Sequence, residues 1–162
     1  MNTALKMRNK LLDSDCTFTS VIYADFTDST YTFSMACKAA NDGTLSFTVS
    51  DPDTIAGISG TVSGEKGELV FDNEVLAFEP IAQGRLTPVI APWIFIKTLR
   101  SGYISACGND GELTRLQIDD SYAEDALHLD IWIDGQNIPV RAEILWKQQR
   151  VITMDVKNFI YV

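Results

Sequence analysis

Histidine, cysteine and positive charge are what this sequence is short of. His128 is the single imidazole among 162 residues, and Cys16, Cys37 and Cys107 show no CxxC spacing. Zinc centres are built from such residues in tight spacings, so no metal site and no cofactor are expected. Three thiols allow at most one internal disulfide and a free cysteine, or three partly buried thiols. Lysine and arginine number 13 against 22 acids, a formal net charge of −9. Phosphate backbones are bound by clustered cations, so nucleic acid is not an expected partner. Electrostatic docking on an anionic membrane is disfavoured for the same reason. No apolar run reaches the ~18 residues of a membrane-spanning helix. The start, "MNTALKMRNK", lacks the apolar core of a signal peptide, so an export segment is expected to lie outside this sequence.

Apolar residues are not scarce: they make up 46% of the chain against 22% charged, which suits one globular domain over residues 1–162. Leu5, Met7, Leu11 and Leu12 predict an amphipathic helix over residues 3–13. The period then changes to two. Cys16, Phe18, Ile22, Ala24 and Phe26 share one parity, with Ser20 the exception, and Tyr31, Phe33, Met35 and Cys37 share the next. A hairpin about Asp28-Ser29 pairs Phe26 with Tyr31, Ala24 with Phe33, Ile22 with Met35 and Ser20 with Cys37. It leaves Cys16 near enough to Cys37 that a bulge or slip is needed for a disulfide. Short alternating runs follow, "GTLSFTVS", "GISGTVSG", "GELVF" and "EVLAF", separated by Asp51-Pro52-Asp53, Gly64-Glu65-Lys66-Gly67 and Asp72-Asn73.

"LTPVIAPWIFIKTLRSGY", Leu86 to Tyr103, breaks this pattern. Thr87-Pro88 or Ala91-Pro92 can start a helix, and Gly102 can end it. The segment is apolar on nearly every side, as a helix buried on more than one face is. Its length and its Lys97 and Arg100 argue against a membrane span. The last third returns to strands. A turn centred on Gly135-Gln136 aligns Ile131 with Val140, Leu129 with Ala142 and Leu127 with Ile144. A loop at Lys147-Gln148-Gln149 aligns Ile144 with Ile152, Ala142 with Met154 and Val140 with Val156.

On the opposite face these registers place Asp130 by Arg141, Arg141 by Asp155, and His128 by Glu143. Pairing Leu116 with Leu129 adds Arg115 beside Asp130. Such a ladder is either a polar binding surface or a solvated face of paired charges, and the absence of a nucleophile favours the second. A catalytic His128 needs Ser or Cys within reach, and none is placed there. "GNDGE" and "DSYAED" lack calcium-loop spacing, and "SGEKG" lacks that of a phosphate loop. No catalytic motif emerges.

The expected fold is α+β: an antiparallel sheet forming an incomplete barrel, with the N-terminal helix and the central apolar helix on its concave face. The candidate apolar lining is Phe18, Phe33, Met35, Phe47, Trp93, Phe95, Ile96 and Met154, each of which, taken singly, reads first as core. The order of elements resembles the lipoprotein-carrier (LolA-like) fold. "DPDTIAGISGTVSGEKGELVFD", "PWIFIKTLRSGYI" and "LDIWIDGQNIPVRAEILWKQQRVITMDVKNF" are similar to phrases of clostridial-type envelope lipoproteins. The resemblance spans roughly residues 3–160. It implies a non-enzymatic, extracytoplasmic domain tethered through an N-terminal lipid on a preceding cysteine, with a lipid or other apolar molecule as partner. The larger relatives have a helical cover over the half-barrel, which here reduces to one short segment. A solid-cored envelope interaction or sensor domain, with an envelope protein as partner, is the alternative.

Overall fold

The computed structural model describes residues 2–26, 29–64, 66–71, 74–78, 81–82 and 85–162. The chain opens with helix α1 (Asn2–Asp13) and continues through β1 (Cys16–Phe26), β2 (Ser29–Ala39), β3 (Leu45–Asp51), β4 (Ser59–Ser63), β5 (Lys66–Phe71) and β6 (Glu74–Phe78). Two short strands, β7 (Ile81–Ala82) and β8 (Arg85–Leu86), pair with each other, and a 3₁₀ turn over Pro88–Ile90 leads into helix α2 (Ala91–Ser101). Both proline starts are used: Pro88 opens the turn and Pro92 the first turn of α2. The final strands are β9 (Tyr103–Asp110), β10 (Leu113–Asp119), β11 (Leu127–Ile133), β12 (Pro139–Trp146) and β13 (Gln149–Tyr161).

Eleven strands form one open antiparallel sheet in the order β6-β5-β4-β3-β2-β1-β13-β12-β11-β10-β9. It is two meanders joined where β1 pairs with β13, and its end strands among the described residues, β6 and β9, are linked in sequence by the segment that carries α2. The strands alternate, so one side of the sheet is apolar and receives both helices. Phe18, Ile22, Met35, Phe47, Leu116, Leu129, Ile131, Ile144, Ile152 and Met154 are buried on that side with Met7 and Leu11 of α1 and Ile94, Phe95 and Leu99 of α2. β13 needs an irregularity to keep its apolar residues inward, because Val156 and Phe159 lie three apart. Asn158, at φ 53°, supplies the extra residue, and the register shifts opposite it between Thr17 and Thr19. Phe159 then stacks on Phe18 at 5.5 Å.

The predicted faces hold, but three registers move by two residues; β10 and β11 pair Leu116 with Ile131 rather than with Leu129. β1 and β2 pair Ile22 with Phe33, Ser20 with Met35 and Phe18 with Cys37; the predicted turn residue Asp28 lies outside the described residues. β11 and β12 pair Ile131 with Ala142 and Leu129 with Ile144. There Asp134 accepts from and donates to Ile138, Asn137 takes φ 64°, and the register slips again between Trp132 and Ile133. The β12–β13 pairs, Ala142 with Met154 and Ile144 with Ile152, are as predicted. Their connection is a two-residue turn at Lys147-Gln148, both at positive φ, rather than a three-residue loop. Of the turns expected in the first meander, Glu65, Asp72 and Asn73 lie outside the described residues.

In α1 the buried residues are Ala4, Met7 and Leu11, while Leu5 and Leu12 are exposed, so the apolar stripe is narrower than predicted. Gly102 ends α2 as expected, but in extended backbone at φ −70°. A Cβ there would sit 2.6 Å from Ile118 Cγ2 and 2.7 Å from Thr98 O, so crowding rather than a left-handed turn demands glycine. Among the described residues no disulfide joins the cysteines; Cys16 faces Ala39 across the hairpin and Cys37 faces Phe18.

Candidate functional site

On α2, residues three and four apart share a face. Ile94, Phe95, Thr98 and Leu99 point into the core, where Phe95 meets Phe18 edge-on at 6.0 Å. Trp93, Ile96, Lys97 and Arg100 form the neighbouring face, which looks onto the turns after β2 and β4. Between them lies a cleft of about 340 Å³, with Trp93, Ile96, Ala39 and Leu45 as its apolar walls and Asp42, Lys97 and Arg100 as its polar ones. Its volume falls at the low end of the ~300–1,000 Å³ of small-molecule sites.

The cleft walls are fixed by long-range hydrogen bonds. Trp93 Nε1 donates to Gly43 O at 3.2 Å, and Lys97 Nζ lies 5.1 Å above the Trp93 ring. Arg100 donates from Nε to Leu11 O at 3.0 Å and from Nη1 to Ala40 O at 2.7 Å. Arg8 reciprocates, donating from Nε to Leu99 O at 2.7 Å and from Nη2 to Gly102 O at 2.8 Å. Each helix therefore lends an arginine to carbonyls at the other's C-terminal end, where the backbone runs out of its own donors. The positive charges also oppose the negative ends of both helix dipoles.

Of the eight predicted lining residues, Trp93 and Ile96 border this cleft. Phe18 and Phe95 touch beneath α2. Phe33 and Met154 flank Ile22 on the inner face, Met35 lies opposite Ser20, and Phe47 packs over Gly60. Seven of the eight are buried, with Trp93 the partly exposed member. Ala39, Leu45, Lys97 and Arg100 were not among the predicted site residues. The spacing 93, 96, 97, 100 carries the signal for the two cations, whose charge was read only as an argument against a membrane span.

Ser20, the polar exception on the inner face, is buried with its Oγ 3.5 Å from Cys37 Sγ. Burial pushes the Cys37 thiol up to about 12 and the Cys16 thiol up to about 11. Neither is poised as a nucleophile at neutral pH.

The predicted charge ladder on the outer face is rearranged by the shifted registers. Arg141 does face Asp155, but Asp130 faces Glu143, His128 faces Leu145, and Arg115 faces Trp132. Arg115 nevertheless reaches buried Asp130 diagonally at 2.7 Å, and Gln117 Nε2 donates to the same carboxylate at 3.2 Å. His128 Nδ1 pairs with Asp119 at 2.7 Å, not with Glu143, which instead holds Arg141 at 2.7 Å. Arg115 and Arg141 flank the Trp132 ring, each 5.4 Å from its centroid. This is a cross-linked outer face, and its histidine is engaged by two carboxylates. Among the described residues no group of three His, Cys, Asp or Glu side chains converges as a metal site. A hollow of about 670 Å³ is also on the outer side, an open trough across β13 and β1 to β5 floored by Thr17, Thr19, Ser46, Thr48 and Thr61.

No protein-family model matches the chain, and no curated protein matches it in sequence. Solved structures do match. An uncharacterised conserved protein from Thermus thermophilus is 9% identical over 99% of this chain and 86% of its own, with a TM-score of 0.56. A domain described as an outer membrane lipoprotein-sorting protein, from Vibrio parahaemolyticus, is 8% identical over 99% of this chain and 91% of its own, with a TM-score of 0.51. At such identities the likeness concerns the fold alone. The chain shares the open half-barrel fold of these structures, and among the described residues no helix is long and apolar enough to cross a membrane.

Proposed function

We propose that this half-barrel is an extracytoplasmic, non-catalytic lipoprotein domain that takes an acyl chain or other apolar ligand on its concave side, with α2 as the cover. Fold likeness alone does not name a ligand. The observation that carries the reading is the cleft at the seam between α2 and the sheet, where an apolar wall of Trp93, Ile96 and Leu45 meets Lys97 and Arg100. An amphipathic molecule with an anionic end matches that division. The eight residues singled out in the sequence are the lining in this reading. Trp93 and Ile96 stand at the entrance, Phe18 and Phe95 beneath α2, and Phe33, Met35, Phe47 and Met154 deeper on the inner face. An N-terminal lipid ahead of α1 is the proposed tether.

A second reading, a solid-cored envelope interaction or sensor module, draws on the burial of seven of those eight side chains. Two measurements separate them: native mass spectrometry of gently purified protein for retained lipid, and titration with fluorescent cis-parinaric acid. The ligand reading expects uptake competed by oleate, weakened by Trp93→Ala and by Lys97→Glu. Protein free of lipid that also fails to take up the probe assigns the domain to the second reading.

A further inference from the structure

Charge is not spread evenly between the two layers of this molecule. Helices α1 and α2 hold Lys6, Arg8, Lys10, Lys97 and Arg100 against one acid, Asp13, in a chain of 13 cations and 22 acids. Asp15 and Asp42 border the helices, the one bonded to Asn41 N at 2.8 Å and the other on the rim of the α2 cleft. Counting both, the helical side stays positive, while the whole chain carries −9. The acids of the outer face, Asp130, Glu143 and Asp155, stand behind the sheet. They lie at least a helix diameter of ~10–12 Å from the exposed helix surface, beyond the ~8 Å Debye length of physiological salt. A surface approaching the helices therefore meets their charge first.

The same side also presents apolar groups. α1 reaches the core through Ala4, Met7 and Leu11, whereas Leu5 and Leu12 are 47% and 49% exposed. Seven residues apart, these two leucines share one flank of the helix, and Lys6 and Lys10, four apart, share the other. Both lysines are exposed, as is Lys97, whose Nζ lies 5.1 Å above the partly exposed Trp93 ring. Leucine and tryptophan beside lysine are the side chains of helices that lie in a membrane interface.

We propose that the helical side is a docking face for a bilayer that carries anionic lipid. Lys6, Lys10 and Lys97 meet the headgroups, and Leu5, Leu12 and Trp93 enter the interface. The net charge of the chain argues against such docking, and the placement of charge reverses that argument for this side alone. An acidic protein would match the lysines too, but it would need a pocket for each leucine, whereas a bilayer takes both without one. Docking sets the mouth of the α2 cleft against the lipid. It requires no ligand in the cleft, so it can fail or hold apart from the uptake of an apolar molecule.

The test uses the full chain, free of any lipid anchor, sedimented with vesicles of phosphatidylcholine alone or with about a third phosphatidylglycerol. Binding is expected to the anionic vesicles only, and to weaken as salt rises. Each lysine near such a surface is worth about fivefold in affinity, so Lys6→Glu should cut binding at least about tenfold, and Lys6→Glu with Lys10→Glu further. Lys10 Nζ lies 4.2 Å above the Tyr161 ring, so the single variant keeps the test readable if the double one unfolds. Leu5→Ser with Leu12→Ser should weaken binding several-fold at an unchanged melting temperature. Lys38→Glu with Lys157→Glu makes the same change in net charge at exposed positions on the outer face, and should leave binding as it was. Absence of binding to the anionic vesicles, or an equal loss in the outer-face pair, overturns the proposal. Soluble polyglutamate that competes fully, with the leucine variant binding vesicles normally, overturns it in favour of an acidic macromolecule.

Discussion

Thr98 lies on the buried side of α2, 1% exposed, and its Oγ1 has no hydrogen-bond partner among the described residues. A buried hydroxyl left unpaired costs free energy that a methyl of the same shape does not. Thr98→Val is therefore expected to stabilise the fold by about 1 kcal/mol, read as a rise in the urea midpoint at unchanged m-value. A loss of stability would mean that the hydroxyl has a partner. Ser20 is the contrasting case, a buried hydroxyl that does have one, the Cys37 thiol 3.5 Å away. In the sequence both residues read alike, as polar interruptions of an apolar face. Only the neighbour across the strand or beneath the helix tells them apart.

At the scale of elements, the exchange of arginines between α1 and α2 fixes the cover. Arg8 and Arg100 each donate to two backbone carbonyls, so Arg8→Met leaves Leu99 O and Gly102 O without those donors. The expected cost is about 1.5–3 kcal/mol, in the range of hydrogen bonds from charged groups. Combining it with Arg100→Met should be non-additive by about 0.5 kcal/mol or more in a double-mutant cycle, because both act on one junction. Strict additivity would contradict a shared junction. The elements also show what a sequence can reveal. Alternation in β1, β2, β10, β11 and β12 identifies the inner face correctly, yet three of the hairpin registers are displaced by two residues. A slip of one would turn every side chain to the wrong face, whereas a slip of two leaves each face intact. Hydrophobic pattern is blind to it, and the turn decides: Asn137 at φ 64° moves Ile131 from Val140 to Ala142. The helical spacing of Trp93, Ile96, Lys97 and Arg100 was legible too. That Leu45 and Gly43 stand across from it was not, because the β2–β3 turn reaches α2 only through tertiary packing.

For the whole molecule, β1 and β13 meet at the middle of the sheet, and three ionisable groups are sealed near that seam. Burial raises Cys16 to about 11, and Cys37 and Tyr161 to about 12. Their ordinary values are 9.0 for the thiols and 10.0 for the phenol. The unfolded chain therefore loses these protons at lower pH than the folded one. The stability they confer is fully present below about pH 9 and is lost progressively as pH rises toward about 12. Urea midpoints measured upward from about pH 8 should fall steadily above about pH 9, and a flat profile would contradict the sealed seam. The central claim, that the concave side receives an apolar ligand under α2, is tested most directly by hydrogen-exchange mass spectrometry with and without oleate. The account predicts new protection in residues 91–101 and in the turn at 40–45. Unchanged exchange in both segments, or protection confined to the outer trough of the sheet, would contradict it.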